Sequence, residues 1–316
     1  MNAPRRVGIV GAGRTRQGLG PFLASAFEGA GCRVTGVAGR DRASAERTAH
    51  ELAARLQHPV AAAADANELA RAVDLLVVAA PVPGHLAGLD GALTANVPCL
   101  CEKPLVAAAE RDAGLARIAA FRARGILLTE NCQWPFVLPA LFELHPQLRG
   151  APVRSVAMGL SPAWPGRTMI EDSLSHVLSV VQALVELRAD CTPTRVRQSD
   201  GSAAAAANEV TFELAGAAGP IDVALHLRQM PGQPRPAWLA VNGCRIDRRL
   251  GADYSHAFVA ADGRAVNVRD PLHALVYDLC DILPLAHRER TQASADVITL
   301  RLRLYAAILG ALGAAR

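Results

Sequence analysis

The first 131 residues alternate between short apolar runs and longer amphipathic stretches. Val7–Val10 (VGIV) is the first run and stops at Gly11. A helix is predicted over Gly18–Gly29, a strand over Arg33–Ala38, and a helix with one polar face over Asp41–Leu56. Pro59–Ala62 is a weaker third strand and Ala66–Ala72 a short helix. Asp74–Ala79 (DLLVVA) is apolar almost throughout, the pattern of a strand covered on both faces. A helix over Gly84–Ala95, a strand over Val97–Cys101, a helix over Val106–Arg124 and a strand over Ile126–Glu130 follow. Six strands alternating with helices predict an α/β domain with an open, doubly wound parallel sheet over residues 1–131.

From residue 132 the rhythm changes. Val153–Leu160 is strand-like, and an irregular stretch with Pro162, Trp164, Pro165 and Gly166 separates it from an amphipathic helix over Asp172–Leu187. Runs at 194–199, 208–215, 220–228, 237–242, 244–250 and 256–260 then have strand character with no helix between them. Such a succession predicts a mostly antiparallel sheet. Helices over 271–285 and 293–313 finish the chain. Residues 132–316 are therefore expected to form an α+β domain whose sheet keeps one open face flanked by helices.

Composition narrows the possibilities. Hydrophobic residues make up 51% of the 316, enough for two sizeable cores. No uninterrupted apolar run approaches the roughly 20 residues of a membrane span. The N-terminus runs straight into a strand without the pattern of a signal peptide. A net charge of +4 with scattered basic residues is no nucleic-acid footprint. A cytoplasmic chain, with neither nucleic acid nor membrane as partner, is the expectation. The seven cysteines include Cys99 and Cys101 on one strand, but no Cys/His cluster has zinc spacing, so no metal site is expected. They read as small buried hydrophobes in a reducing compartment. One feature stands apart: of the 33 Lys and Arg residues, Lys103 is the sole lysine and the other 32 are arginine. Guanidinium does not give up its proton in proteins, so a lone lysine in an arginine-rich chain is a candidate for chemistry.

Gly11-Ala12-Gly13 sits between the first strand and the first helix. In a dinucleotide-binding Rossmann domain the first such glycine permits the turn and the second admits the pyrophosphate, which meets the amides of the helix N-terminus. The third glycine of that fingerprint is absent, since residue 16 is Arg; Gly18 and Gly20 suggest a loop expanded by about two residues. The second strand ends Ala38-Gly39-Arg40-Asp41. Gly39 leaves the usual acidic position empty, and Arg40 suits a 2′-phosphate, with Arg14, Arg16 and Arg42 adding positive potential. NADP(H) is the favoured cofactor on this reading. NAD(H) is the other, with Asp41 turned in to a 2′-hydroxyl and Arg40 in solvent.

Lys103 follows the fifth strand in Glu102-Lys103-Pro104, at the carboxyl edge where open parallel sheets bind ligands. Taken with the glycine turn, Asp74–Pro81 with His85, Asp172-x-x-x-His176, and Asp270-Pro271-Leu272 before a late helix, this resembles the Gfo/Idh/MocA family of glucose–fructose oxidoreductase and inositol dehydrogenase. The resemblance implies cofactor contacts at Gly11, Gly13, Arg14, Thr15, Arg16, Gly39, Arg40, Ala80, Pro81, His85, Glu102 and Lys103. It further implies that Lys103 binds the substrate oxygen and assists proton transfer, that His176 is the general acid/base, and that Asp172 orients it or binds substrate. Four residues apart, Asp172 and His176 share a helix face. By residue type alone, Asp172 also suits a helix N-cap and His176 a core position. The chain departs from the family pattern at Ala80 and Val82, where Thr and Asn are common, and lacks the frequent Arg after the sixth strand. Asn131, Trp134, Trp164 and Arg167 are the candidate substrate residues, with Trp164 equally suited to a core.

These features predict an NAD(P)-dependent oxidoreductase acting on a small, sugar-like or cyclic substrate at a C–OH or C=O. Reduction of C=N or C=C and a non-catalytic dinucleotide sensor are the alternatives. The family and the open sheet face imply a homo-oligomer, dimer or tetramer.

Overall fold

A computed structural model of the chain describes residues 3–13, 18–199, 202, 204–252, 254–283 and 288–314. The chain divides into two compact units, Met1–Asn131 with Leu272–Leu302, and Cys132–Pro271 with Arg303–Arg316. The segment 272–302, expected in the second domain, thus packs with the first unit.

In the first unit β1 (Arg6–Val10), α1 (Gly20–Gly29), β2 (Arg33–Ala38), α2 (Arg42–Leu56), β3 (Ala61–Ala63), α3 (Ala66–Arg71), β4 (Leu75–Val78), α4 (His85–Ala95), β5 (Cys99–Cys101), α5 (Arg111–Arg124) and β6 (Leu128–Glu130) alternate. All strand pairs are parallel, in the order β3-β2-β1-β4-β5-β6. The order reverses between β1 and β4, which opens the crevice of a doubly wound sheet. β4 and β5 are buried at every residue, as parallel strands between two helical layers must be. Burial raises the thiols of Cys99 and Cys101 well above their ordinary value, so both stay protonated and act as small hydrophobes.

The second unit holds α6 (Leu138–Leu144), β7 (Ser155–Leu160), α7 (Arg167–Leu184), β8 (Thr194–Gln198), β9 (Ala207–Gly216), β10 (Gly219–Arg228), β11 (Trp238–Val241), β12 (Cys244–Leu250), β13 (His256–Ala260) and β14 (Ala265–Val268). The eight strands form one sheet, β14-β13-β12-β11-β7-β10-β9-β8, antiparallel at every pair except β7 with β10. Alternation along β9 and β10 turns Val210, Phe212, Leu214, Val223 and Leu225 into the core, against the side that α7 covers. The other face carries Trp238, with the Arg245 guanidinium 4.3 Å above its ring and His226 at 5.2 Å.

Helix α8 (Pro271–Ile282) follows, then α9 (Arg288–Ala314). Among the described helices α9 alone is long and apolar enough, by length and composition, to cross a membrane; half of that stretch is buried inside the protein. It carries a buried cation, Arg301.

Candidate active site

The turn after β1 explains two of its glycines by crowding. Gly11 has φ +81°, and a Cβ there would lie 2.4 Å from Ala80 Cα beyond β4. A Cβ on Gly20 would lie 2.4 Å from Ala12 Cα. Gly20 therefore supplies the close helix-to-turn packing of the fingerprint's third glycine, further along than Gly18. Gly13 differs: among the described residues a Cβ there meets only Thr48 Oγ1, at 3.5 Å. None of the described atoms demands glycine at this position, where a dinucleotide fold brings the pyrophosphate close to the backbone. At the start of α1 the N-cap residue, Leu19, makes no side-chain cap bond. Both observations fit a bound pyrophosphate. Arg14, Thr15 and Arg16 lie outside the described residues.

At the end of β2, Asp41 caps α2 in a reciprocal box with Ser44: its Oδ1 accepts the Ser44 N–H at 2.7 Å, and Ser44 Oγ accepts the Asp41 N–H at 3.1 Å. These bonds, the Ser44 amide first, hold the Asp41 carboxyl below its ordinary range. Asp41 Oδ2 meets Arg40 Nε at 3.3 Å, while the Arg40 side chain is 88% exposed. A Cβ on Gly39 would lie 2.3 Å from Ser44 Oγ, so that position has no room for an acid.

The segment carrying Lys103 is tied down on several sides. The Glu102 N–H donates to Val78 O at 2.8 Å, and the Lys103–Pro104 peptide is cis. His85, 1% exposed at the start of α4, points its ring at three carbonyls: Nε2 lies 2.8 Å from Ala80 O, and Nδ1 lies 3.1 Å from both Pro104 O and Leu105 O. Burial lowers the His85 pKa, against the raising effect of those carbonyls. Asn131 Nδ2 donates to the Glu102 carboxylate, and Asn131 Oδ1 is buried with no partner among the described residues. Two residues that the motifs pass over complete the clamp. Glu130 Oε1 accepts the Leu105 N–H at 3.0 Å, and its Oε2 pairs with Arg301 Nη1 at 2.7 Å, both side chains being buried. An acid ending a buried strand and an arginine inside an apolar helix were the available signals.

In the second unit α7 starts at Arg167, behind Gly166 with φ 62° and no side-chain cap. Asp172 thus lies inside the helix, which excludes the N-cap role its residue type suggested. It is exposed, and His176 is half-buried one turn later. The Cys132 thiol donates to Ser175 O at 3.8 Å, and the turn at Trp134–Val137 packs on α7. Trp134 is buried, edge-on to Phe258 with centroids 6.3 Å apart. Trp164 is 57% exposed, so it is not a core residue. Arg167 is engaged by Glu171 at 3.1 Å and by Leu309 O at 2.9 Å.

Comparison with known proteins agrees with this geometry. The model of the Gfo/Idh/MocA family, described as an oxidoreductase family with an NAD-binding Rossmann fold, matches residues 5–126. No curated protein matches the chain. Among solved structures, the UDP-N-acetylglucosamine 3-dehydrogenase GnnA from Acidithiobacillus ferrooxidans is 22% identical with a TM-score of 0.64, over 98% of this chain and 99% of that one. An oxidoreductase from Agrobacterium radiobacter in complex with NAD+, L-tartaric acid and magnesium is 15% identical with a TM-score of 0.62, over 99% of both chains. KijD10, a 3-ketoreductase from Actinomadura kijaniata whose structure is a complex with TDP-benzene and NADP, is 18% identical with a TM-score of 0.63, over 94% of this chain and 96% of that one. At these identities the likeness is one of fold. The family match covers residues 5–126, and that part of the chain resembles the NAD-binding Rossmann fold of the Gfo/Idh/MocA oxidoreductase family.

Proposed function

We propose that the protein interconverts a C–OH and a C=O on a small, sugar-like substrate, with NADP(H) as the preferred cofactor. The observation that carries the chemistry is the sole lysine, held at the carboxyl edge of a parallel sheet by a segment bonded through its flanking residues. Nicotinamide, when bound, supplies or accepts the hydride. The chain's own residues handle the proton. His176, whose residue type titrates near neutrality, takes the hydroxyl proton on oxidation and returns it on reduction. The Lys103 ammonium binds the reacting oxygen and stabilises the charge that develops on it. Asp172, on the same face of α7, orients His176 or holds a substrate hydroxyl.

Two neighbours by fold, a UDP-N-acetylglucosamine 3-dehydrogenase and a 3-ketoreductase, support the sugar-like class. The NADP(H) preference rests on the end of β2: the Asp41 carboxylate is committed to the α2 cap, and the Arg40 guanidinium is exposed beside it. Gly11, Gly13, Gly39, Ala80, Pro81 and Glu102 are the proposed cofactor-lining positions. His85 is assigned to holding the loop rather than to contact with the cofactor. We further propose that the chain works as a homo-oligomer.

Lys103→Met tests the reading. Turnover on a panel of keto and hydroxy sugars falls to background, while NADPH still binds by fluorescence titration. Parental turnover by this variant refutes the mechanism; tight NADPH binding by the parent with no turnover on any substrate favours the non-catalytic sensor instead.

A further inference from the structure

Arg248 is a cation in an apolar setting that no role above uses. Alternation along β12 puts it on the same side as Ile246, which is fully buried, and its cross-strand partner on β13 is Phe258, also fully buried. Its guanidinium lies 6.0 Å from the centre of the Trp134 ring. Nη2 donates to Arg235 O at 2.7 Å, while Nε is buried and has no acceptor. Among the described residues no carboxylate stands within ion-pair distance of it; the carboxylate of Asp270 lies instead 3.8 Å from His256 Nε2. Burial, the largest influence, lowers its proton affinity; Asp270 opposes this and Arg235 adds to it.

Arg248 is half-buried, and a guanidinium whose Nε is shielded from water with no acceptor is costly, since buried polar groups are normally paired. An alkyl side chain would fill the same place without that cost. The planar fork of arginine is suited to the two oxygens of a carboxylate or phosphate. The position also connects with the proposed chemistry. Arg248 sits over Trp134, and the Trp134–Val137 turn packs on α7, the helix of Asp172 and His176.

We propose that the second unit carries an anion subsite on Arg248, which takes a carboxylate or phosphate group of the substrate. Trp134 forms its apolar wall, and the unmet Nε–H is one of its donors. This deepens the oxidoreductase reading and rests on it: the substrate is a hydroxylated or keto compound that also bears an oxyanion.

Calorimetric titration of the full chain, saturated with NADPH, with malonate and with inorganic phosphate tests the subsite. One of the two binds with a stoichiometry of one, and which one identifies the oxyanion. Arg248→Met weakens that binding about tenfold or more. It melts no lower than the parent, because a poorly paired, half-buried charge has been replaced by an apolar chain. If Arg248→Met does not fold, Arg248→Lys serves, keeping the charge but losing the fork; its affinity falls severalfold. The subsite is refuted if the parent binds neither anion, or if the folded variant binds as the parent does. A parent that fails to bind NADPH refutes the oxidoreductase reading instead; the same titration on the cofactor-free chain then still decides for or against Arg248.

Discussion

Single residues at the first unit's sheet edge show how a side chain's partners decide what it can offer a ligand. Asp41 and Arg40 are adjacent in sequence, yet the helix cap uses the acid and leaves the base exposed. Arg40→Ala is therefore expected to raise the KM for NADPH by about tenfold and to leave that for NADH within about twofold, the loss of one charge-assisted contact. Equal effects on the two cofactors would count against a 2′-phosphate contact. His85 makes a different prediction. Its folded pKa lies below the ordinary 6.5, so the unfolded chain takes up the proton first as pH falls. The stability this neutral ring contributes is complete above about pH 6.5 and is lost as pH drops towards the folded value. Melting temperatures of the parent should fall more steeply from about pH 7.5 to about pH 5.5 than those of His85→Gln. Parallel slopes would show that His85 does not titrate this way.

Elements were legible where their periodicity was strong. The six alternating strands of the first unit and the run of strands in the second follow the pattern of apolar positions, with ends shifted by a residue or two. The start of α7 was not legible. Gly166 opens that helix through a positive φ without a capping side chain, so the capping preferences of Asp172 pointed one and a half turns too late. α6 was hidden by Pro135 and Pro139, which suit a first helical turn but read as breakers in a short segment. β14 is a four-residue edge strand with no residue fully buried. The candidate site divides the same way. Lys103 stands out by composition, but Glu130 and Arg301 are 171 positions apart and only folding brings them together. Arg301→Met leaves the Glu130 carboxylate buried without its cation. It should cost about 3 kcal/mol in denaturant unfolding and lower kcat by loosening the Leu105 anchor. Unchanged stability would mean that the pair is not held as described.

At the scale of the whole molecule, the open sheet face of the second unit is neither plainly apolar nor plainly charged. Trp238 lies flat enough on the sheet that a side chain on Gly159 would run into it, and Arg245 stacks above. Tryptophan and arginine with a mixed polar surround are the composition of an interface between folded chains. Light scattering at micromolar concentration should give a dimer or tetramer, and Trp238→Glu should shift it towards the single chain. A parent that runs as a monomer would remove the assembly from the proposal.

The cap on α2 has one more consequence, for how this chain can change. An acid at position 39, the simplest mutational route to reading a free ribose, collides with Ser44. Shrinking Ser44 to make room removes half of the box that starts the helix. Each step is unfavourable before the other is taken. On the NADP(H) reading proposed above, cofactor choice and helix initiation are thus locked together at positions 39, 41 and 44, and a switch to NAD would have to pass through a less stable intermediate sequence or find a path around Gly39 altogether.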